Sequence, residues 1–446
     1  MTVTDANHAA SIEERFPEVF HPPFLKRFGA LFAVLALVLY AFYVSWFFSL
    51  PTVIREAHWE RFGLYLSQWI SYDVQPEFRL DGDKINVRYP RYSPLGDNPD
   101  PEWVRHNDDG SLAVSVAGAR KVVTITPARI TILNRGESAV VSLADGQPKV
   151  VGPVPAWMTV YDDNVLADLG FAGDVSVAAD RVKIRKRFLG WPNFIFDTQS
   201  KFFGKSAGDV AGLIFGGAEL KKGTPNWQLA FEDFWNNNTW QHGDVLTKLL
   251  QTIVMAFLGT LLGALFGFPL AFLAARNITP NRLANHLFKR FFDFLRSMDM
   301  LIWALFFTRA FGPGPLAGSA AIFFTETGTL GKVYSEALDN IDDKPREGIQ
   351  STGASNTLVQ RFGVMPQIVP VIVSQTLYQW ESNVRGATII GAVGAGGIGL
   401  KLWEAMRTNK NWENVAYMVL LTLIVVFLFD MLSNALRTRL IGERTH

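Results

Sequence analysis

Glu381 and Arg385 stand four residues apart inside an apolar stretch, with the acid first. On a helix that order favours an i,i+4 ion pair. Charges in such a setting are costly, and they mark either internal pairing or a polar path. If Arg385 faces such a path, its guanidinium suits an anion. Glu326, Asp299 and Arg309 are further charges in apolar surroundings. Free, ionised carboxylates there would repel an anion. They are expected to pair with Arg309, Arg385 or Arg296, or to be held protonated in a bundle. Trp303, Trp380 and Tyr378 are aromatic candidates for the same lining. Arg385, Glu381, Asp299, Trp303, Glu326 and Arg309 therefore form the candidate path.

A second set lies in a polar stretch, where Glu347, Gly348 and Ile349 are followed by Gly353, Gly363 and Pro366. Glu347 offers an acidic contact. Gly353 permits a backbone reversal between two short helices. Pro366 suits the first turn of the next helix, where its missing N–H costs nothing. A third set, 394–399, fits the Gly-x-Gly-x-x-Gly dinucleotide fingerprint letter for letter. It follows an apolar run rather than a strand of a βαβ unit, so a dinucleotide site is rejected. Gly394, Gly396, Gly397 and Gly399 read instead as close helix packing, an outer gate, or N–H groups presented to an anion. The chain has no cysteine and only 7 histidines, none paired at ligand spacing, so thiolate catalysis and Cys-ligated zinc are excluded and no metal site is expected.

The elements that must position these residues are read from hydropathy. Hydrophobic residues make up 49% of 446 positions, yet mean hydropathy is only +0.14, so strongly apolar stretches are mixed with a polar block. Six stretches reach or approach the ~20 residues needed to cross a bilayer. They are 28–50, 245–275, 291–311, 315–333, 368–392 and 415–436. The first is too long for a signal-peptide core and reads as an uncleaved anchor. Lys26 and Arg27 precede it. Arg276, Arg282, Lys289 and Arg290 follow the second stretch; Lys332 ends the fourth, and Lys344, Arg346 and Arg361 follow it; Arg437, Arg439 and Arg444 follow the sixth. With six spans these all fall on one side, which is therefore cytoplasmic, with both termini. Lys401, Arg407 and Lys410 are exceptions on the opposite side. Net charge +1 gives no polyanion-binding character, so no nucleic-acid partner is expected.

Residues 51–243 are polar and alternate with period two at 84–89, 122–126, 129–132 and 181–185. Turn signals at Asp81-Gly82, Asp109-Gly110, Asn134-Arg135-Gly136 and Asp145-Gly146 separate such runs. This pattern predicts antiparallel strands in a domain with its own core, on the outer face. The aromatic run from Phe231 to Trp240 is expected at headgroup level, leading into the second span. Phe203-Gly204-Lys205-Ser206 lacks the earlier glycine of a phosphate loop, since Gln199 stands there. The acidic turns 107–110 and 161–164 do not fit a calcium-loop spacing.

The loop beginning at Glu347 resembles the ATPase-docking loop of ABC importer permeases. Glu347, Gly353 and Pro366 match that family's pattern in type and spacing; Gly348, Ile349, Gly363 and Met365 are small or apolar departures. The stretches 295–305, 311–318, 325–332, 335–337 and 378–388 narrow the likeness to phosphonate-import permeases, with related members for phosphite and other phosphorus oxyanions. The resemblance covers 244–436 and the anchor. It implies a polytopic all-α membrane protein with about six transmembrane helices, to which the alternating pattern of 51–243 adds a β-rich extracytoplasmic insertion. The expected organisation is a cytoplasmic tail (1–27), first transmembrane helix (28–50), periplasmic insertion (51–243), permease core (244–436) with docking loop 335–366, and cytoplasmic tail (437–446). It further implies a homodimer in the bacterial inner membrane, a separate ABC ATPase that binds ATP and Mg, and a periplasmic substrate-binding protein. No cofactor is expected in this chain. The large insertion is a departure on which the resemblance is silent. Rival readings are a membrane-anchored enzyme or sensor acting through 51–243, a passive channel, and an ABC permease for another small solute.

Overall fold

The structure is a computed structural model and describes residues 28–441, apart from 58, 83, 91–92, 97–98, 144–145 and 409–411. Lys26, Arg27, Asp145, Lys410, Arg444, the tail 1–27 and the end of the tail 437–446 lie outside the described residues.

The chain divides into two units between Tyr65 and Leu66. In the first, α1 (Gly29–Phe47) is apolar on every side and buries no residue. A helix of that kind needs an apolar surrounding. It stops at Ser49, whose φ of 50° is left-handed, and a short α2 (Leu50–Glu56) follows. α3 (Trp59–Gln68) crosses the division in sequence.

The second unit opens with a β-sandwich. One sheet has the order β10-β11-β12-β13-β2-β3, with β1 also on β13; the other is a β4-β5-β6-β7-β8-β9 meander. The first sheet comprises β1 (Ser71–Val74), β2 (Glu77–Asp81), β3 (Lys84–Arg88), β10 (Met158–Val160), β11 (Asn164–Asp168), β12 (Gly173–Ala178) and β13 (Arg181–Leu189). The second comprises β4 (Val104–His106), β5 (Leu112–Ala117), β6 (Lys121–Ile125), β7 (Arg129–Asn134), β8 (Glu137–Ser142) and β9 (Lys149–Val151). Period-two alternation explains the faces: Ile130 and Ile132 of β7 and Val182 and Ile184 of β13 are fully buried in one core between the sheets. The nine-residue β13 is long enough to pair β2 with its first half and β1 with its second. Pro76 falls in the gap between those partners and has no N–H to give a ladder. The predicted strands are thus found, but they occupy only 71–189. The rest of the expected β-rich insertion holds helices, among them α4 (Ala207–Gly216) and α5 (Asn226–Trp235).

The helical half consists of α6 (His242–Ala274), α7 (Arg282–Ser297), α8 (Met300–Phe311), α9 (Pro315–Asp339), α10 (Asp343–Gln350), α11 (Asn356–Val359), α12 (Met365–Ile390), α13 (Gly397–Thr408) and α14 (Trp412–Ile441). Its centre is the contact of α6 with α9. Gly259, Gly263 and Gly267 recur every four residues on α6, so they share one face. A Cβ placed on Gly263 would lie 2.6 Å from Glu326 Cβ, and one on Gly267 would lie 3.1 Å from the Gly331 nitrogen. Only glycine permits that backbone approach.

Among the described residues, four helical segments are long and apolar enough to cross a membrane: Gly29–Phe47, His242–Ala274, Asn356–Ala395 and Trp412–Arg439. The six expected spans differ from these segments at two places. The stretch 291–311 is not one helix. Asp299 interrupts it and accepts from Leu301 N–H at 2.8 Å as the N-cap of α8. The resulting 12-residue helix spans only about 18 Å. α9 has the length, 25 residues, but its polar residues keep it below the apolarity of the other four; it is buried at the centre of the bundle. The docking loop also starts later than expected, because 335–339 belong to α9.

The sandwich is joined to the helices by aromatic packing. Trp240 Nε1 donates to Pro192 O at 2.8 Å, and Trp191, Phe194, Trp240, His242 and Tyr417 pack together. His242 Nε2 donates to Phe194 O at 2.6 Å, which leaves Nδ1 to accept from the Tyr417 hydroxyl at 2.8 Å. Trp240, expected at headgroup level, is instead 1% exposed.

Because the sandwich core draws only on residues of the two sheets and their connections, residues 66–190 expressed alone are expected to fold. Urea unfolding of that fragment should be cooperative, and Ile132→Ala should cost about 2–5 kcal/mol.

Candidate functional site

The loop between α9 and α12 is built from short capped pieces. Asp342 accepts from Lys344 N–H at 3.1 Å and starts α10. Gly353 has φ +78°, which provides the reversal before α11. The π-helical turn Gln360–Val364 then leads into α12, with Pro366 in its first turn. Glu347 and Gly348 are exposed, whereas Ile349 is half-buried against Gly363. Gly363 is buried, and a Cβ there would lie 3.1 Å from Arg346 Cα. Leu358 and Phe362 are exposed apolar residues beside these positions, which the sequence reading did not single out.

The loop is tied to the ends of the long helices. Arg346 Nη1 donates to Asn277 O at 3.1 Å, and Asn277 Nδ2 donates to Leu338 O at 2.7 Å. Asp339 accepts from Arg276 N–H at 2.7 Å and pairs with Lys289 at 2.6 Å. Gln367 closes the loop on itself: its amide donates to Gly363 O at 2.7 Å and Asp342 O at 3.2 Å, and it accepts from Asp342 N–H at 3.0 Å. Asn277, Asp339 and Gln367 were not anticipated. Most of their partners are main-chain groups far away in sequence, so side-chain type carries no signal for them.

Glu381 and Arg385 do meet, at 3.7 Å, but a third charge joins them: Arg437 lies 3.9 Å from the other Glu381 oxygen. The Glu381 side chain is 10% exposed and the Arg385 side chain 59%. Arg385 borders a groove of about 560 Å³ that is otherwise lined by apolar residues of α14 and by Asp430.

The remaining path candidates are not brought together. Glu326 is 3% exposed at the crossing of α6, α9 and α12, beside Asn383, whose amide donates to Thr260 at 2.9 Å. Of the two expectations for Glu326, the arginine partner is not met: among the described residues it has no ion pair, and one of its oxygens has no hydrogen-bond partner. Arg296 pairs with Asp293 at 3.5 Å instead. Asp299 is an exposed cap, and Arg309 is exposed at the end of α8. Trp303 is packing rather than lining: it is 8% exposed, donates to Leu295 O at 3.2 Å, and stacks on Phe307. The glycine cluster breaks the path from α12 to α13. Gly394, Gly396 and Gly397 all have positive φ, and a Cβ on Gly399 would lie 1.9 Å from Thr388 O. The N–H of Ile398 is already given to Thr252 Oγ1 at 2.8 Å.

Comparison with known proteins bears on the segment that carries all of this. Residues 267–442, from within α6 into the C-terminal tail, match the family described as the binding-protein-dependent transport system inner membrane component. A phosphite transport system permease protein of Stutzerimonas stutzeri is 34% identical over 205 residues, 46% of this chain and 72% of the relative. This chain belongs to that permease family. A putative cryptic phosphonate transport system permease protein of Escherichia coli is 47% identical over 121 residues, 27% of this chain and 98% of the relative. A putative phosphite transport system permease protein, also of S. stutzeri, is 34% identical over 187 residues, 42% of this chain and 66% of the relative. The chain thus spans just under two thirds of that last relative's length. These relatives are named as transport system permease proteins. The family's description places its members in a binding-protein-dependent transport system.

The three-charge cluster of this permease gives an asymmetric expectation. Glu381→Gln removes the counter-charge of two arginines, whereas Arg385→Gln leaves Glu381 with Arg437. Glu381→Gln should therefore lower the midpoint of thermal unfolding in detergent more than Arg385→Gln does. Equal losses would mean that Arg437 contributes nothing.

Proposed function

We propose that this chain is the membrane subunit of an importer for phosphonate or a related phosphorus oxyanion. The observation that carries the reading is Arg385. It is a largely exposed guanidinium on α12, open to a groove, within the segment that matches the permease family. A planar fork of donors suits a phosphorus oxyanion. The names of the phosphite and phosphonate relatives point to the same class of solute.

The proposed assembly is a homodimer. Arg385 and Asp430 stand on an otherwise apolar face, and such charges do not face lipid. A second copy covering that face would enclose the groove along the axis between protomers. ATPase subunits would grip the surface that carries Glu347, Gly353, Leu358 and Phe362. Nucleotide-driven closure would then pull on α6 and α9 through Arg346 and Asn277, and on α12 through Gln367. Access would alternate as the helices tilt. ATP and Mg belong to the partner ATPase.

The clustering of Arg276, Lys289, Lys344 and Arg346 near this loop supports a cytoplasmic loop and cytoplasmic termini in the bacterial inner membrane. The sandwich would then stand in the periplasm, where the substrate-binding protein arrives. The segment 394–399 would act as an outer gate near the start of α6.

Uptake into proteoliposomes containing the permease, its ATPase and its binding protein tests the reading. Phosphite or an alkylphosphonate should accumulate only with ATP inside, and methionine should not. Arg385→Gln should slow uptake roughly ten- to hundredfold, as expected for loss of one charge-assisted hydrogen bond worth ~1.5–3 kcal/mol. Glu347→Ala should abolish ATP-dependence with the fold intact. Accumulation of no phosphorus oxyanion above the ATP-free level would refute the assignment.

A further inference from the structure

The hairpin of α4 and α5 presents an apolar surface to which the proposed function assigns no role. α5 is two-faced. Asn226, Leu229 and Ala230 are buried against Phe202 and the α4 side chains. Trp227, Phe231 and Trp235 recur every four residues on the other face, with exposures of 62%, 58% and 38%. Phe231 and Trp235 stack at 5.8 Å. On α4, Phe215 is 89% exposed, and the neighbouring outward positions are the small residues Ala211, Gly212 and Gly216. An exposed surface of large rings on a helix pair requires a cover.

The cover is indicated by continuity. A Cβ built on Gly243, in the first turn of α6, would lie 2.4 Å from Trp235 Nε1. The ring at one end of the stripe therefore rests on the start of a helix long and apolar enough to cross a membrane. The outward face of α6 continues as exposed Leu250, Val254 and Phe257. Apolar surface thus runs from the flank of the span through Trp235 and Phe231 to Trp227. Tryptophan is enriched where bilayer meets water, and amphipathic helices lie there with one face submerged. Charge does not select this location: Lys221 and Lys222 in the hairpin turn are offset by Glu219 and by Glu232, which accepts from Gln228 at 2.9 Å.

We propose that α4–α5 is a monotopic foot, seated in the leaflet on the side where α6 begins, which fixes the height and tilt of the β-sandwich over the bilayer. The occupant of the surface is lipid. The inference rests on the reading of α6 as a transmembrane helix, and the test separates the two.

The absence of cysteine allows single-site nitroxide labelling without a background. Full-length protein carrying Phe215→Cys, Trp227→Cys, Leu265→Cys or Ser138→Cys is labelled, reconstituted into phosphatidylcholine–phosphatidylglycerol vesicles, and probed with oxygen and with a water-soluble nickel chelate. Leu265, 64% exposed on α6, reports the span, and Ser138, exposed on β8, reports water. Labels at 215 and 227 should favour oxygen over nickel and lie about 5–10 Å below the phosphates. Nickel accessibility at 215 and 227 equal to that at 138, with 265 in lipid, would overturn the foot and leave the span standing. Nickel accessibility at 265 as well would overturn both. Labels at 215 and 227 shielded from both reagents would mean a protein partner covers the hairpin, and would also overturn it. The two positions are on different helices, so misfolding of one variant leaves the other as the test.

Discussion

The helical half depends on how closely α6 approaches α9. Glycine inside a helix costs roughly 1 kcal/mol relative to alanine, and α6 carries three on one face. That cost is offset by contact: the backbones come near enough for Gly267 to meet Gly331 and for Gly263 to receive the first carbon of the Glu326 side chain. The close approach also fixes where polar groups end up. Glu326, Thr260 and Asn383 meet in the interior because three helices cross there without large side chains between them. At the far end the same approach brings the turn after α6 onto the last turn of α9, so that Asn277 and Asp339 can bond across it.

The β-sandwich folds on its own alternation, yet it is held firmly to the helices. Trp191, Phe194 and Trp240 enclose His242 at the first turn of α6, and Tyr417 of α14 completes the group. Asn414 of α14 adds a bond to Thr239 O at 2.8 Å. Both long helices that receive the sandwich are thus gripped by aromatic rings and satisfied polar atoms rather than by a flexible tether. A large domain attached in this way would shift with α6 and α14 when they tilt.

Much of the fold was legible in the sequence because it rests on local periodicity. Ile130, Ile132, Val182 and Ile184 alternate as strands must, and Gly353 and Pro366 have the backbone roles their types suggest. Other parts were illegible for a physical reason. Asp299 looked like an intramembrane charge because hydropathy averages over it, whereas its side chain caps a helix. Glu326 was expected either to find an arginine or to be held protonated in the bundle; the chain places it opposite glycine and asparagine from other helices, with no arginine. Trp240 looked interfacial because aromatic content alone does not say which ring turns inward. The glycines at 259, 263 and 267 were visible as a repeat and would have identified the central contact. The Arg346–Asn277 and Gln367 ties were not visible, because their acceptors are mostly main-chain carbonyls.

As proposed, work done on the exposed loop would reach the long helices through the Arg346–Asn277–Leu338 chain of hydrogen bonds. The most direct measurement is the ratio of solute imported to ATP hydrolysed in proteoliposomes holding the full transporter, for the natural protein and for Arg346→Ala. The variant should still hydrolyse ATP when the loaded binding protein is added, and the solute moved per ATP should fall severalfold. An unchanged ratio with normal hydrolysis would contradict this, and would show that the loop drives the helices through other contacts.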